Sequence, residues 1–421
     1  MNSWTRFSSF LPLAVVPFLY ACGGGVSAWQ GTVVDSAGIT VVHNPSAPLW
    51  AEGDEWTATE DLRIGTPAGE PEYQFGILGF MDVDDAGNIY VVDAMAREVR
   101  VFDAQGSYLR TVGGPGSGPG EFSAGVAFAF LDNEGGLVVP DLGNVRVNRY
   151  APDGTFLSSF PLQFQQGVPR LWAMDDSGRL MAQLQGRNIE GFATLAEGDP
   201  IVVYDTTGTV VDTVALLPKG QTLAETNDEQ VLIRLFAPEP WWVPTADGSI
   251  YYAMSDQYKI FLNDPQGLLT RIVTLDAEPK PVEETDQEAI VALLRRQAIQ
   301  AGAPAAAVDQ QLQAVRFAEN YPLFGLMFLG PEETLWVQRV QSARDMAEEA
   351  GEEAEYSPFD PQDIGSAEWD LFDREGRYLG VVALPERYSP RAIHGDHIYG
   401  VWRDELDVQY VVRVKVNRTA K

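Results

Sequence analysis

Cysteine is all but missing: Cys22 is the single one in 421 residues, so no disulfide staples this fold and its stability must come from packing. Basic residues are scarce as well. Against 60 Asp and Glu stand 29 Lys and Arg, a formal charge of -31, which removes nucleic acid and an anionic membrane face from consideration as partners. Such a surface keeps copies soluble and apart, and its sharper use would be a cationic ligand or calcium. The N-terminal apolar run, Phe10 to Leu19, is ten residues long. A spanning helix needs about 20. No EF-hand spacing occurs, and "GGPGSGPG" (Gly113 to Gly120) lacks the Lys-Ser/Thr end of a phosphate loop. Its prolines also remove N–H donors, so it reads as a linker.

What is present begins with Arg6, the short apolar run and "LYAC". These have the layout of an export signal. Leu19-Tyr20-Ala21-Cys22 resembles a bacterial lipobox. The resemblance implies a signal peptide over 1–21, acylation of Cys22 and a lipid anchor at the cell envelope, on a periplasmic or outer-membrane face. Gly23 to Gly25 would serve as a flexible spacer. A plain signal peptide followed by an unpaired cysteine is the alternative.

The whole chain is 45% hydrophobic and carries ten tryptophans, nine of them beyond Cys22, enough for a well-packed globular body. Its organisation is announced by a recurring turn. "FDAQG" (Phe102 to Gly106) returns as "YDTTG", "NDPQG" and "FDREG", with a looser "YAPDG" at Tyr150 to Gly154. Extended β-prone runs flank these turns, so each reads as a hairpin. A second family lies upstream of the first, in "DVDDAGNIYVVD", "FLDNEGGLVVPD", "AMDDSGRLMAQL" and "PTADGSIYYAMSD", with degenerate copies at "LGPEETLWV" and "IHGDHIYGV". Together they define a four-stranded unit with the period of a propeller blade.

Six such units predict an all-β, six-bladed propeller of four-stranded antiparallel blades. The last unit runs out after "VQYVVRVKV" with one strand missing. "EWTATEDLRIG" (Glu55 to Gly65), just ahead of the first blade, supplies it and closes the ring without a free edge. The domain reading is therefore signal peptide 1–21, linker and N-terminal segment 22–54, and propeller 55–421.

Asp84 to Phe122, "DDAGNIYVVDAMAREVRVFDAQGSYLRTVGGPGSGPGEF", resembles the repeat of the NHL and related six-bladed propeller families. "VDSAGITVVHNPSAPLW" resembles the N-terminal segment of bacterial six-bladed propeller lipoproteins. The resemblance implies the fold; propellers of this kind serve both as binding scaffolds and as enzymes.

Two insertions interrupt the period, since Gly106 to Gly154 spans 48 residues and Gly267 to Gly376 spans 109. The first, about 281–320 between blades four and five, predicts helices opened by a Thr285/Glu288 capping box. It would either cover a channel mouth or pack on the side of the ring. The second, about 342–363 within blade five, is a carboxylate-rich loop, either solvated or a site for calcium or a cationic partner.

Candidate site residues stand where second strands end: Asp93, Asp141, Gln185, Asp256, Gln338 and Arg403, with Arg97, Arg146 and Arg339 nearby. They could form a polar ring at one channel mouth, or, for Asp93 and Asp141, accept backbone N–H groups and fix loops. His394 and His397 fall on a blade turn, and zinc would need a third ligand. No catalytic residue is identified.

Two functions follow. One is a monomeric, lipid-anchored scaffold binding an envelope protein, peptide or glycan. The other is a hydrolase or lyase resembling the calcium-dependent lactonase propellers, with Asp141 and Asp256 as the candidate metal ligands. No cofactor is expected under the first, and calcium under the second. The predicted inner strands, "GFMDV", "VAFAF", "LWAM", "WWVP" and "FGLMF", are apolar and aromatic, which favours binding.

Overall fold

The computed structural model describes residues 29–163, 167–185, 198–221, 223–227, 230–345 and 364–418. Local chemistry at the repeated turn explains why the chain reverses where it does. Asp103 Oδ1 accepts the N–H groups of Gln105 (2.9 Å) and Ser107 (2.8 Å), and Gly106 takes φ +84°, a left-handed conformation that costs glycine nothing. Asp205, Asp264 and Asp373 repeat these bonds. In the looser copy Ala151 replaces the aspartate, and Asp153 bonds Thr155 N–H instead (2.8 Å).

Hydrogen bonding to the ionised form holds Asp103, Asp153 and Asp205 below the usual carboxylate range, chiefly through Ser107, Thr155 and Thr207 respectively. A lowered folded pKa means stability present above the unfolded value and lost as pH falls through the folded one. The triple variant Asp103→Asn, Asp153→Asn, Asp205→Asn should therefore unfold at lower urea than wild type at pH 7. The gap should narrow below about pH 4. An unchanged gap from pH 7 to pH 3.5 would refute the assignment.

These turns and those upstream build a six-bladed β-propeller. Its inner strands are Leu78–Val83, Phe130–Leu131, Val168–Met174, Pro240–Pro244, Met327–Leu329 and Tyr388–His394. Each begins a four-stranded antiparallel blade. Blade six borrows its outermost strand, Thr57–Ile64, which pairs with Gln409–Asn417 and closes the ring as expected. Second strands such as Ile89–Asp93 and Leu137–Asp141 are buried at every position, because both faces are covered by neighbouring blades. Six buried apolar clusters lie between successive blades, among them the one joining blades five and six through Trp336, Trp369 and Val412.

Three features depart from the sequence reading. The segment read as linker and N-terminal segment, 22–54, contains a hairpin, Thr32–Ser36 with Ile39–Asn44, that docks in parallel on Leu269–Leu275 and widens blade four to six strands. Buried Asn44 fastens it, donating to Thr274 O (3.0 Å) and Gly376 O (2.9 Å) and accepting from Tyr378 N (2.8 Å). The helical insertion is confirmed as α1 (Glu284–Gln300) and α2 (Ala305–Leu312), but its cap lies at Glu283, whose N–H is bonded by Asp286 Oδ2 (3.1 Å), rather than at Thr285. Beside it stands an unforeseen three-stranded sheet of Leu223–Asn227, Gln230–Leu235 and Val315–Phe317. Helix α1 packs through Ile290 and Leu293 on Phe236, Tyr321 and Ala343. Most of the acidic loop, 346–363, lies outside the described residues, as does Cys22. Among the described residues no helix is long and apolar enough to cross a membrane.

Candidate functional site

The inner strands of all six blades surround a cavity of about 1490 Å³. Half-buried Phe80, Phe128, Trp241, Leu326, Phe328 and Ile393 form much of its wall. They are there because the inner strands carry few polar residues, as their sequences predict. Phe80 meets Phe128 at 5.9 Å and Phe130 at 4.9 Å between ring centroids, so blades one and two share an aromatic cluster beside the cavity. Trp172, also on the wall, stacks on Tyr204.

Asp82 is the one carboxylate on the six inner strands. Its Oδ2 accepts Leu131 N–H from blade two (2.9 Å) and its Oδ1 accepts Val83 N–H (2.8 Å). Burial pushes its pKa up to about 6, the nearby charges of Asp176 and Asp84 push the same way, and the two N–H donors oppose them. A raised folded pKa in a carboxyl stabilises the fold at low pH, and that contribution is lost as pH rises through about 6. The chain thus keeps an ionised group here at neutral pH at a cost to stability, which marks Asp82 as a functional candidate.

At the mouth reached by the turns that follow the inner strands, the rim is acidic. Asp84, Asp132 and Asp175 cap their own turns through backbone N–H groups. Asp85, Glu134 and Asp176 are exposed there. Cations also line the cavity: Arg170, paired with Glu239 at 3.5 Å, and Arg391, which donates to Ser389 Oγ (2.6 Å).

The ring proposed from sequence lies elsewhere, because none of its nine members lines this cavity. Asp93 accepts the N–H groups of Gly76, Met95 and Ala96 and pairs with Arg100 at 3.3 Å. Asp141 is taken up by Ser123 and Asn144. Arg97 sits at φ +59° in the loop that Asp93 caps, its N–H bonded to Asp93 O. Arg146 ties down the glycine-rich link through Gly118 O and Glu121 O. Gln185 supports Asp199. Asp256 is exposed beyond its strand, and buried Ser255 does the capping there, accepting Glu239 N–H (2.9 Å). Gln338 donates to Ser366 O (3.2 Å), Arg339 pairs with Asp370 (2.9 Å) and Glu368 (3.1 Å), and Arg403 reaches Asp407 (3.5 Å). Apart from Arg97 and Asp256, for which no side-chain bond is described, these polar side chains sit at strand ends where backbone groups leave the ladder and need partners, and they supply them.

The histidines also separate. His397 Nε2 lies 3.1 Å from Asp61, whereas His394 borders the cavity. Among the described residues no three His, Cys, Asp or Glu side chains converge as a metal would require. Asp82 was missed because one acidic residue in an apolar strand has no local signal. Its distance of two residues from the "DDAGN" turn is the only clue.

A family profile described as a 6-bladed beta-propeller, DUF5128, matches residues 72–168. No curated protein sequence matches significantly. Among solved structures, a candidate exported protein from Bacteroides fragilis is similar at 12% identity and TM-score 0.50, over 90% of this chain and 100% of that one. A member of the duf4221 family from Bacteroides vulgatus is similar at 9% identity and TM-score 0.52, over 88% and 100%. Regucalcin, a calcium-binding protein from Agrobacterium tumefaciens, overlaps at 11% identity and TM-score 0.41, over 90% and 97%. At these identities the two Bacteroides likenesses speak for the fold alone, and the third carries no argument.

Proposed function

We propose that this chain is an exported, lipid-anchored, monomeric propeller that binds a protein, peptide or glycan at the cell envelope and does not transform it. The observation that carries this reading is the cavity of about 1490 Å³, walled by aromatic and aliphatic side chains with a single inner-strand carboxylate. That is the composition of a recognition pocket. Titration of the purified full chain with peptide and glycan panels, followed by tryptophan fluorescence, should show quenching from Trp241 and Trp172. Turnover of a lactone or ester, lost with EDTA, would overturn the reading.

Calcium does not fit the candidate ligands. A hard cation of this kind takes six to eight oxygens, as a rule. Asp141 Oδ1 accepts from Ser123 Oγ and Asn144 N–H and its Oδ2 from Ser123 N–H and the Asn144 side-chain amide, and Asp256 is exposed away from the cavity. Millimolar calcium should therefore leave the melting point where EDTA leaves it. A rise lost in Asp141→Ala and Asp256→Ala would restore the enzyme reading. For the anchor, Cys22→Ser should abolish incorporation of labelled fatty acid; retained label would refute acylation there.

A further inference from the structure

We infer that the channel takes the ammonium group of a lysine-bearing peptide, entering by the acidic mouth. This deepens the binding reading and rests on it. Three observations converge on one part of the wall. First, Asp82 spends one lone pair of each oxygen on a backbone N–H and keeps acceptor capacity on both. Second, the aromatic cluster adjoins that carboxylate: Phe80 lies two residues earlier on the same strand, and the N–H that Asp82 binds belongs to the residue after Phe130. A cation held against aromatic faces with a carboxylate beside it is favoured over a neutral or anionic group. Third, the exposed carboxylates Asp85, Glu134 and Asp176 line the same mouth and raise the local concentration of cations.

The charges that bear most on Asp82 are those of Asp176 and Asp84. Arg170 is engaged by Glu239, and Arg391 donates to Ser389 and to Pro390 O. A peptide fits better than a free metal ion, since Asp84, Asp132 and Asp175 have committed oxygens to their turns and leave Asp82 without converging partners. An extended peptide also uses the remaining length of the cavity, where Trp241, Leu326 and Phe328 would meet its apolar side chains.

Binding should depend on pH. Asp84 and Asp176 act directly on Asp82, and the other titratable and charged groups lining the cavity are Asp85 on its own blade, Asp132 and Glu134 on blade two, Arg170 and Asp175 on blade three, and Arg391 and His394 on blade six. Affinity should fall as pH drops through the range in which Asp82 takes up a proton, and recover above it.

Calorimetric titration of the full chain with a blocked pentapeptide holding one central lysine, and with the same peptide acetylated at Nζ, tests the proposal. The lysine peptide should bind, and the acetylated one about 10- to 100-fold more weakly, the range of a charge-assisted hydrogen bond. Asp82→Asn should remove that preference, and Phe128→Leu should reduce it. Should Asp82→Asn fail to fold, the double variant Asp85→Asn, Asp176→Asn at the exposed rim should still weaken lysine-peptide binding at low salt. Equal affinity for both peptides, no binding at millimolar concentration, or indifference to these variants would overturn the proposal. A neutral peptide or glycan bound in the channel would do so while sparing the binding reading; substrate turnover would remove both.

Discussion

A chain begun at residue 66, without the strand Thr57–Ile64, should show no cooperative unfolding transition, whereas one begun at residue 55 should retain it. The strand contributes the outer edge of blade six, with register contacts from Val411↔Ile64 to Asn417↔Thr57. Ile64 is 2% exposed and belongs to the cluster that joins blade six to blade one through Met81, Phe102, Tyr399 and Val401. Leu62 and Ile64 also cover Gly106 of the first repeated turn. Taking the strand away strips one inter-blade core and leaves an unpaired edge where the ring should close. The chain begun at 55 loses the N-terminal hairpin with buried Val42, and Trp50 that follows it, and should melt lower but as a single transition. Urea titration followed by circular dichroism and by tryptophan emission distinguishes the cases. A cooperative transition in the shorter chain would show that five blades and a remnant suffice.

The largest single-residue effect is expected at Asp370. Its carboxylate is 3% exposed and accepts Tyr258 Oη (2.9 Å), Tyr378 Oη (2.9 Å) and Arg339 Nε (3.0 Å), linking blades four and five. Asp370→Ala strands two hydroxyls and a guanidinium at once. A loss of about 3–5 kcal/mol is expected, the range for breaking a buried charged network from one side. Much of that comes from the tyrosines, because Arg339 is 40% exposed and solvent screens it. Asp370→Asn keeps an acceptor and should lose less. As a control, Asp309→Ala removes the exposed Arg295 pair on the helical insertion and should leave the urea midpoint unmoved. Equal midpoints for wild type and Asp370→Ala would show that the network contributes nothing net.

Both predictions rest on features of unequal legibility. Closure by residues 55–65 could be read directly, since a blade one strand short and a spare β-run before the first blade have one economical solution. The network at Asp370 could not. Asp370 sits in "EWDLFD" with nothing local to separate it from Asp373, which caps a turn three residues later. The candidate ring failed for a related reason. For Asp93 and Asp141 the alternative read from sequence, acceptance of backbone N–H groups in their own loops, is what the structure has, whereas the surroundings of the other ring members depend on segments the sequence does not place. Asp82 shows the converse, a residue in an apolar strand that becomes notable only when Leu131 of the next blade is beside it.

The sequence by itself determined the number of blades, the four-stranded unit on which each is built and the closure of the ring. The turns that encode them are local: an aspartate bonds N–H groups two and four residues ahead, and a glycine supplies the left-handed step. Only the tertiary structure decided where the N-terminal hairpin docks, that Gln230–Leu235 pairs with Val315–Phe317, and which polar groups face the channel. Those outcomes depend on contacts between segments far apart in the chain. Each is settled by which surfaces remain unburied and which polar atoms remain unpaired once the ring has closed.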